Sequence, residues 1–179
     1  MILASRSPQR KAILEQLGVE FRVEAPDVEE LSSGEPRRLV LENALRKARA
    51  VSGERVLGVD TAVVLDGRAF GKPRDAEEAE TFLRRLSGRW HEVMSGIALR
   101  ESSGAERSDV AVTRVHFRQL EQAQLEWYLA TEEWRGRAGG YAIQGRGAAL
   151  VCEIEGDYTN VVGLPVPLLL RLAPDLAGG

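Results

Sequence analysis

The run Val56-Leu57-Gly58-Val59-Asp60-Thr61-Ala62-Val63-Val64-Leu65 is apolar at positions that point both ways from an extended chain, interrupted only by Asp60-Thr61. Successive side chains of a strand face opposite sides of its sheet, so a run apolar on both sides reads as a strand covered on both faces. Asp66-Gly67 immediately afterwards is a hairpin turn signal. A carboxylate in the middle of such a strand is costly: unpaired and ionised it would lose several kcal/mol, so Asp60 should meet a cation, a metal or strong donors. A salt bridge to an internal Lys or Arg explains it as well as a chemical role does.

The elements around this strand follow from period and caps. Leu3-Ala4 is a short apolar strand that breaks into Ser5-Arg6-Ser7-Pro8-Gln9-Arg10. Ser7 suits the N-cap of a helix, Pro8 its first position and Gly18 its stop. Phe21 to Val23 alternates like a strand and leads into the acidic loop Pro26-Asp27-Val28-Glu29-Glu30. A helix from about Pro36 carries Leu39, Val40, Ala44, Ala48 and Val51 on one face, with Lys47 beside that stripe. Gly71-Lys72-Pro73 ends the hairpin, and Asp75 with Glu78 predicts a capping box for a helix bearing Ala79, Phe82, Leu83 and Leu86. Val93 to Leu99 and Val110 to Phe117 predict paired strands joined by an exposed loop from Glu101 to Arg107. A helix from about Glu121 to Ala130, a glycine-rich stretch around Tyr141-Ala142-Ile143-Gln144, another strand and a terminal helix Pro167 to Leu172 complete the chain. Elements alternate first and strands then pair directly, which predicts an α/β fold with a mixed sheet, one domain over residues 1–179 or two lobes sharing that sheet.

Composition removes several classes of function. A net charge of −3 supplies no basic field for a long nucleic acid. One cysteine, Cys152, forms no internal disulfide, and with only His91 and His116 it builds no zinc cage; the two histidines read as packed or surface residues. Met1 runs straight into the first strand without a signal-like segment, and no apolar run is of membrane-spanning length, so a soluble cytoplasmic protein is expected. No Walker A pattern, GxGxxG turn or GxSxG elbow occurs.

The residues that could do chemistry sit at element ends. The helix start at Ser7 is a natural anion site, and Arg10 places a cation against the helix dipole, as a bound anion would favour; an ordinary turn with a solvated Arg is the plain alternative. Arg10, Lys47 and Lys72 together could neutralise a triphosphate, since phosphoryl transfer depends on positioning and electrostatics. Asp60 with a glutamate of the acidic loop would supply the oxygen ligands that Mg²⁺ or Mn²⁺ prefers.

The octet LASRSPQR resembles the LASxSPRR opening of the Maf family of nucleoside triphosphate pyrophosphatases. VEE ending at Glu30, the KA pair at Lys47, GVDTAVVLDG around Asp60, GKP at Lys72, LSGRWHEVMSGIAL, GGYAIQG ending at Gly145 and NVVGLP from Asn160 resemble that family's successive blocks, in order over nearly the whole chain. The resemblance implies a Maf/ITPase-like α/β fold, a mixed twisted sheet with flanking helices and two lobes around a central cleft. It implies hydrolysis of a nucleoside triphosphate to monophosphate and pyrophosphate with a divalent metal, in a cytoplasmic homodimer with no nucleic-acid or membrane partner. By the same resemblance Asp60 is the general base, Asp60 and Glu30 hold the metal, and Ser5, Arg10, Lys47 and Lys72 line the phosphate site. Thr61 and Gln144 match the dTTP/UTP branch, whereas Gln9 stands where that branch has Arg, which broadens the expected base profile. A nucleotide-binding regulator of septum formation with little turnover is the alternative, and measured turnover separates the two.

Overall fold

The computed structural model describes residues 1–177. Its elements are β1 (Ile2–Ala4), α1 (Pro8–Gln16), β2 (Arg22–Val23), α2 (Pro36–Arg49), β3 (Arg55–Leu65), β4 (Arg68–Phe70), α3 (Ala76–Leu86), β5 (Trp90–Glu101), β6 (Glu106–Phe117), α4 (Gln122–Leu129), β7 (Val151–Glu155), α5 (Tyr158–Val162) and α6 (Val166–Leu172). They form one seven-stranded mixed sheet in the order β2-β1-β3-β5-β6-β7, with β4 also on β3. The pairings of β1 with β2 and β3 are parallel and all others are antiparallel.

The long strand β3 is covered on both faces, as its composition demands. Leu57 and Val59 face Leu3, Ile13, Leu14 and Leu168 under α1 and α6, while Val56 packs with Ile2, Ala44 and Ala48 under α2. Farther along, Val63 and Leu65 join a third cluster with Leu83, Phe117, Leu125 and Tyr128. Each fully buried side chain of this kind contributes roughly 1.5–3 kcal/mol.

Two features of β3 position everything else. Along one edge, β1 pairs with Val56 to Gly58 and β4 with Val63 to Leu65, while β5 runs along the other edge. Between β1 and β4 the edge is open, and Asp60-Thr61 falls in that notch, which divides the β1, α1 and α2 side from the β4, α3 and α4 side. The second feature is the approach of α2. A Cβ on Gly58 would lie 2.1 Å from the Ala44 carbonyl oxygen, and one on Gly96, the β5 partner of Asp60, 2.3 Å from that of Val40. Only glycine lets the helix backbone lie this close to the sheet, and that proximity carries Asn43 and Lys47 over Asp60.

Some boundaries differ from the sequence expectation. The loop expected from Glu101 to Arg107 shrinks to a turn at 102–105, because β5 and β6 extend as a long hairpin. Asp75 caps α3 by accepting from the Glu78 amide, but the Glu78 carboxylate binds the Arg74 amide and guanidinium instead of returning to Asp75, so only half of the capping box forms. The short helix α5 was not expected, and α6 begins one residue early, at Val166. Asp66 and Gly67 both adopt positive φ, 52° and 71°, as a tight two-residue hairpin turn requires. Ser7, Pro8 and Gly18 occupy the cap, first-turn and stop positions read from the sequence.

Candidate active site

A cleft of about 520 Å³ opens at the notch, and Ser5, Gln9, Arg10, Glu30, Lys47, Asp60, Thr61, Lys72 and Gln144 all line it. Residues from six separate stretches of chain are therefore brought to one place. The sequence reading missed Arg6, Arg135 and Arg137, which line the same cleft, and Asn43 behind it.

Lys47, almost buried on α2, lies between two carboxylates: its Nζ is 2.6 Å from Asp60 Oδ1 and 2.9 Å from Glu30 Oε1. It also donates to the Val59 carbonyl at 3.4 Å, an acceptor that the end of β1 leaves without a strand partner. Asn43, one turn earlier on α2, donates to Asp60 Oδ2 at 3.1 Å. The same side chain holds the acidic loop by accepting from the Leu31 amide at 2.7 Å and donating to the Leu31 carbonyl at 3.0 Å. The partner that an internal carboxylate requires is thus Lys47, with Asn43 as a second donor. Burial pushes the Glu30 carboxyl up, but Lys47, with Lys72 and Arg10 behind it, outweighs that and holds it below the usual carboxylate range.

Arg10 differs from the solvated or phosphate-directed cation suggested by its place in the first turn. It is 9% exposed, and four of its five N–H groups are committed. Nε donates to the Gly163 carbonyl at 2.9 Å, Nη1 to Ser5 Oγ at 2.9 Å and the Val59 carbonyl at 3.0 Å, and Nη2 to Thr61 Oγ1 at 3.1 Å. One N–H of Nη2 is left for a ligand. Its partners lie on distant segments, so the local cap pattern could not reveal them. Thr61 is similarly occupied, its hydroxyl sharing a 2.8 Å hydrogen bond with buried Ser95 besides accepting from Arg10.

On the far wall, the segment from Tyr141 to Arg146 is braced at three points. The Tyr141 hydroxyl meets His91 Nε2 at 2.9 Å, the Ala142 amide donates to the Tyr128 hydroxyl at 3.0 Å, and the Arg146 amide donates to Glu133 at 2.7 Å. His91 is packed, as expected, and burial pushes its imidazole down to about 4. Burial likewise raises the Tyr128 phenol to about 12. Gln144 projects from this braced segment into the cleft and makes no hydrogen bond among the described residues.

A family model described as Maf-like protein matches residues 1–176. The chain belongs to the Maf family. A Maf relative named dTTP/UTP pyrophosphatase from Anaeromyxobacter dehalogenans (strain 2CP-C) is 48% identical over 171 residues, covering 93% of this chain and 88% of that protein. Another of the same name from Thermus thermophilus is 47% identical over 173 residues, covering 96% and 92%. Among solved structures, the Staphylococcus aureus Ham1 protein overlaps 65% of this chain and 70% of its own at 15% identity, with a TM-score of 0.49. No helix among the described residues is long and apolar enough to cross a membrane.

Proposed function

We propose that this Maf protein hydrolyses nucleoside triphosphates, dTTP and UTP foremost, to monophosphate and pyrophosphate. The observation that carries the reading is Asp60: a part-buried carboxylate at the open edge of β3, inside a cleft lined by several cations. The names of its relatives, dTTP/UTP pyrophosphatase, support the same chemistry.

Asp60 accepts the proton of a water that attacks the α phosphorus. Lys47 and Asn43 each occupy one lone pair of its two oxygens, which orients the carboxylate and leaves acceptor capacity for that water. Lys72 faces the polyphosphate, and Arg10 acts chiefly as a frame: it ties the Ser5 loop, Val59, Thr61 and the turn after α5 together and presents one N–H to the substrate. Thr61 serves recognition by fixing Arg10, while the free amide of Gln144 can read the O and N–H edge of a uracil or thymine ring. Gln9 Oε1 accepts from Ser7 Oγ at 3.1 Å, so its amide nitrogen remains available to the cleft.

Asp60 and Glu30 also fit a hard divalent cation. Lys47 takes Asp60 Oδ1 and Glu30 Oε1, so the oxygens left for such an ion are Asp60 Oδ2 and Glu30 Oε2, and no cluster of three or more His, Cys, Asp or Glu gathers among the described residues. Mg²⁺ or Mn²⁺ would therefore be shared between these carboxylates, water and substrate phosphates, and would supply neutralisation of the polyphosphate charge. The reading includes a cytoplasmic homodimer acting on free nucleotides, not on nucleic acid or at a membrane; a cleft of about 520 Å³ is of a size to take a nucleotide. Pyrophosphate release from dTTP, UTP, CTP, GTP and 7-methyl-GTP tests it. The best kcat/KM is expected for dTTP or UTP, with oxygen from labelled water appearing in the monophosphate. A best rate with 7-methyl-GTP, or label in the pyrophosphate, contradicts it.

A further inference from the structure

The cations lining the cleft divide by whether the protein already uses them. Arg10 is committed to Ser5, Thr61 and two carbonyls, Lys47 to Asp60 and Glu30, and Arg135 to Glu132 at 2.7 Å while lying over the Trp134 ring. Arg6, Lys72 and Arg137 make no ion pair and no side-chain hydrogen bond among the described residues. Arg6 and Lys72 are solvated. Arg137 is not: it is half-buried, and its Nε is shielded from solvent without an acceptor. Glu133, the nearby acid, is engaged by the Arg146 amide. Among the described residues no group neutralises this guanidinium, and its terminal Nη1 and Nη2, unlike Nε, are not shielded and have no partner, so they are the N–H groups open to a ligand in the cleft.

Its place in the fold says which part of a ligand. The turn that follows Arg137 is pressed onto β3, since a Cβ on Gly139 would lie 2.7 Å from Val63, and the Gly139 amide donates to the Gly71 carbonyl at 3.0 Å. That bond fastens the Arg137 turn to the Gly71-Lys72-Pro73 turn, so two uncommitted cations project into one cleft from two turns fixed to each other. Both stand on the β4 side of the notch, across from the group that Lys47 of α2 forms with Asp60 and Glu30. A planar fork beside an ammonium suits two adjacent phosphates, the fork binding two oxygens at once and the ammonium acting as a point charge.

We propose that Arg137, together with Lys72, binds the β and γ phosphates and stabilises the charge that collects on pyrophosphate as the α–β bond breaks. The electron pair of that bond leaves with the β-phosphate oxygen, so donors held there act more strongly in the transition state than on the bound substrate. This assignment rests on the pyrophosphatase reading, and the test keeps the two apart.

Inhibition of dTTP hydrolysis by pyrophosphate and by dTMP is measured for the wild type, Arg137→Ala and Arg137→Lys. Arg137→Ala is expected to raise the pyrophosphate inhibition constant about tenfold or more, the scale of one charge-assisted contact, and to lower kcat, with the dTMP constant within about twofold. Arg137→Lys should recover part of the loss, keeping the charge without the fork. An unchanged pyrophosphate constant, or equal weakening of pyrophosphate and dTMP, overturns the proposal. If Arg137→Ala fails to fold, Arg137→Gln is read by the same criteria. If the wild type releases no pyrophosphate from dTTP, the pyrophosphatase reading fails, and calorimetry of pyrophosphate binding to wild type and Arg137→Gln decides separately whether Arg137 is a phosphate ligand.

Discussion

Lys47 holds two acids at once, and removing its charge should expose what each contributes. Lys47→Met leaves Asp60 and Glu30 facing one another without a cation, and loss of one partner of a partly buried pair costs about 3 kcal/mol. We expect a lower denaturation midpoint together with lost turnover; an unchanged midpoint would show that the pair does not hold the acidic loop. Arg10→Ala strips partners from the Val59 and Gly163 carbonyls and should cost roughly 3–5 kcal/mol, with little rescue by Arg10→Lys, which cannot reach four acceptors in a plane. Full stability of Arg10→Ala in a melting experiment would refute this framing role. The need of Asp60 for a cation was legible in the apolar run around it, and Lys47 beside its stripe was a visible candidate. The commitment of Arg10 was not, because its acceptors are backbone carbonyls of β3 and the turn after α5. Asn43 was missed although it sits one turn before Lys47 on the same helix face, a spacing that could have revealed it.

His91 gives the pH dependence at this scale. Burial lowers its folded-state value from 6.5 to about 4, so between those limits the unfolded chain binds the extra proton and stability rises with pH. The contribution is fully present above about pH 6.5 and is lost as pH falls toward 4, an order of 3 kcal/mol. His91→Phe should therefore lose less stability than the wild type between pH 7 and pH 4.5, and parallel losses would show that His91 does not drive the acid limb.

At the scale of elements, the decisive contact is α2 against β3 and β5 at Gly58 and Gly96. Gly58→Val places side-chain carbon into the Ala44 carbonyl and the Ala48 amide, at 2.1 and 2.8 Å from its Cβ, and overpacking of this kind costs about 3 kcal/mol or more. Because α2 carries both Asn43 and Lys47, the surviving fraction should also turn over more slowly. Wild-type kcat in a folded Gly58→Val protein would contradict the link between helix approach and site geometry. Strand and helix identities were legible from period and caps because the apolar faces are wide. The length of the β5–β6 hairpin was not, since its outer ends, Glu101 and Glu106 to Asp109, are polar and extend by pairing with each other rather than by burial. The notch was equally hidden: it exists because β1 stops at Ala4, opposite Gly58, and the β4 pairing with β3 begins only at Val63, a matter of register that no single segment records.

Across the whole molecule, the mixed sheet follows the expectation drawn from alternating elements and the cleft the one implied by the family resemblance, with each family block sending at least one residue to it at the notch. A metal shared with the substrate predicts that excess EDTA abolishes turnover and that Mg²⁺ or Mn²⁺ restores it; full activity in EDTA would remove the metal from the account. The central claim concerns Asp60 itself. In Asp60→Asn the amide keeps the shape and Glu30 still accompanies Lys47, so the fold should persist while the proton acceptor is gone. The most direct measurement is kcat for dTTP on folded, nucleotide-binding Asp60→Asn: the account predicts a fall of about 100-fold or more, and retention of more than about a tenth of the wild-type rate would contradict it.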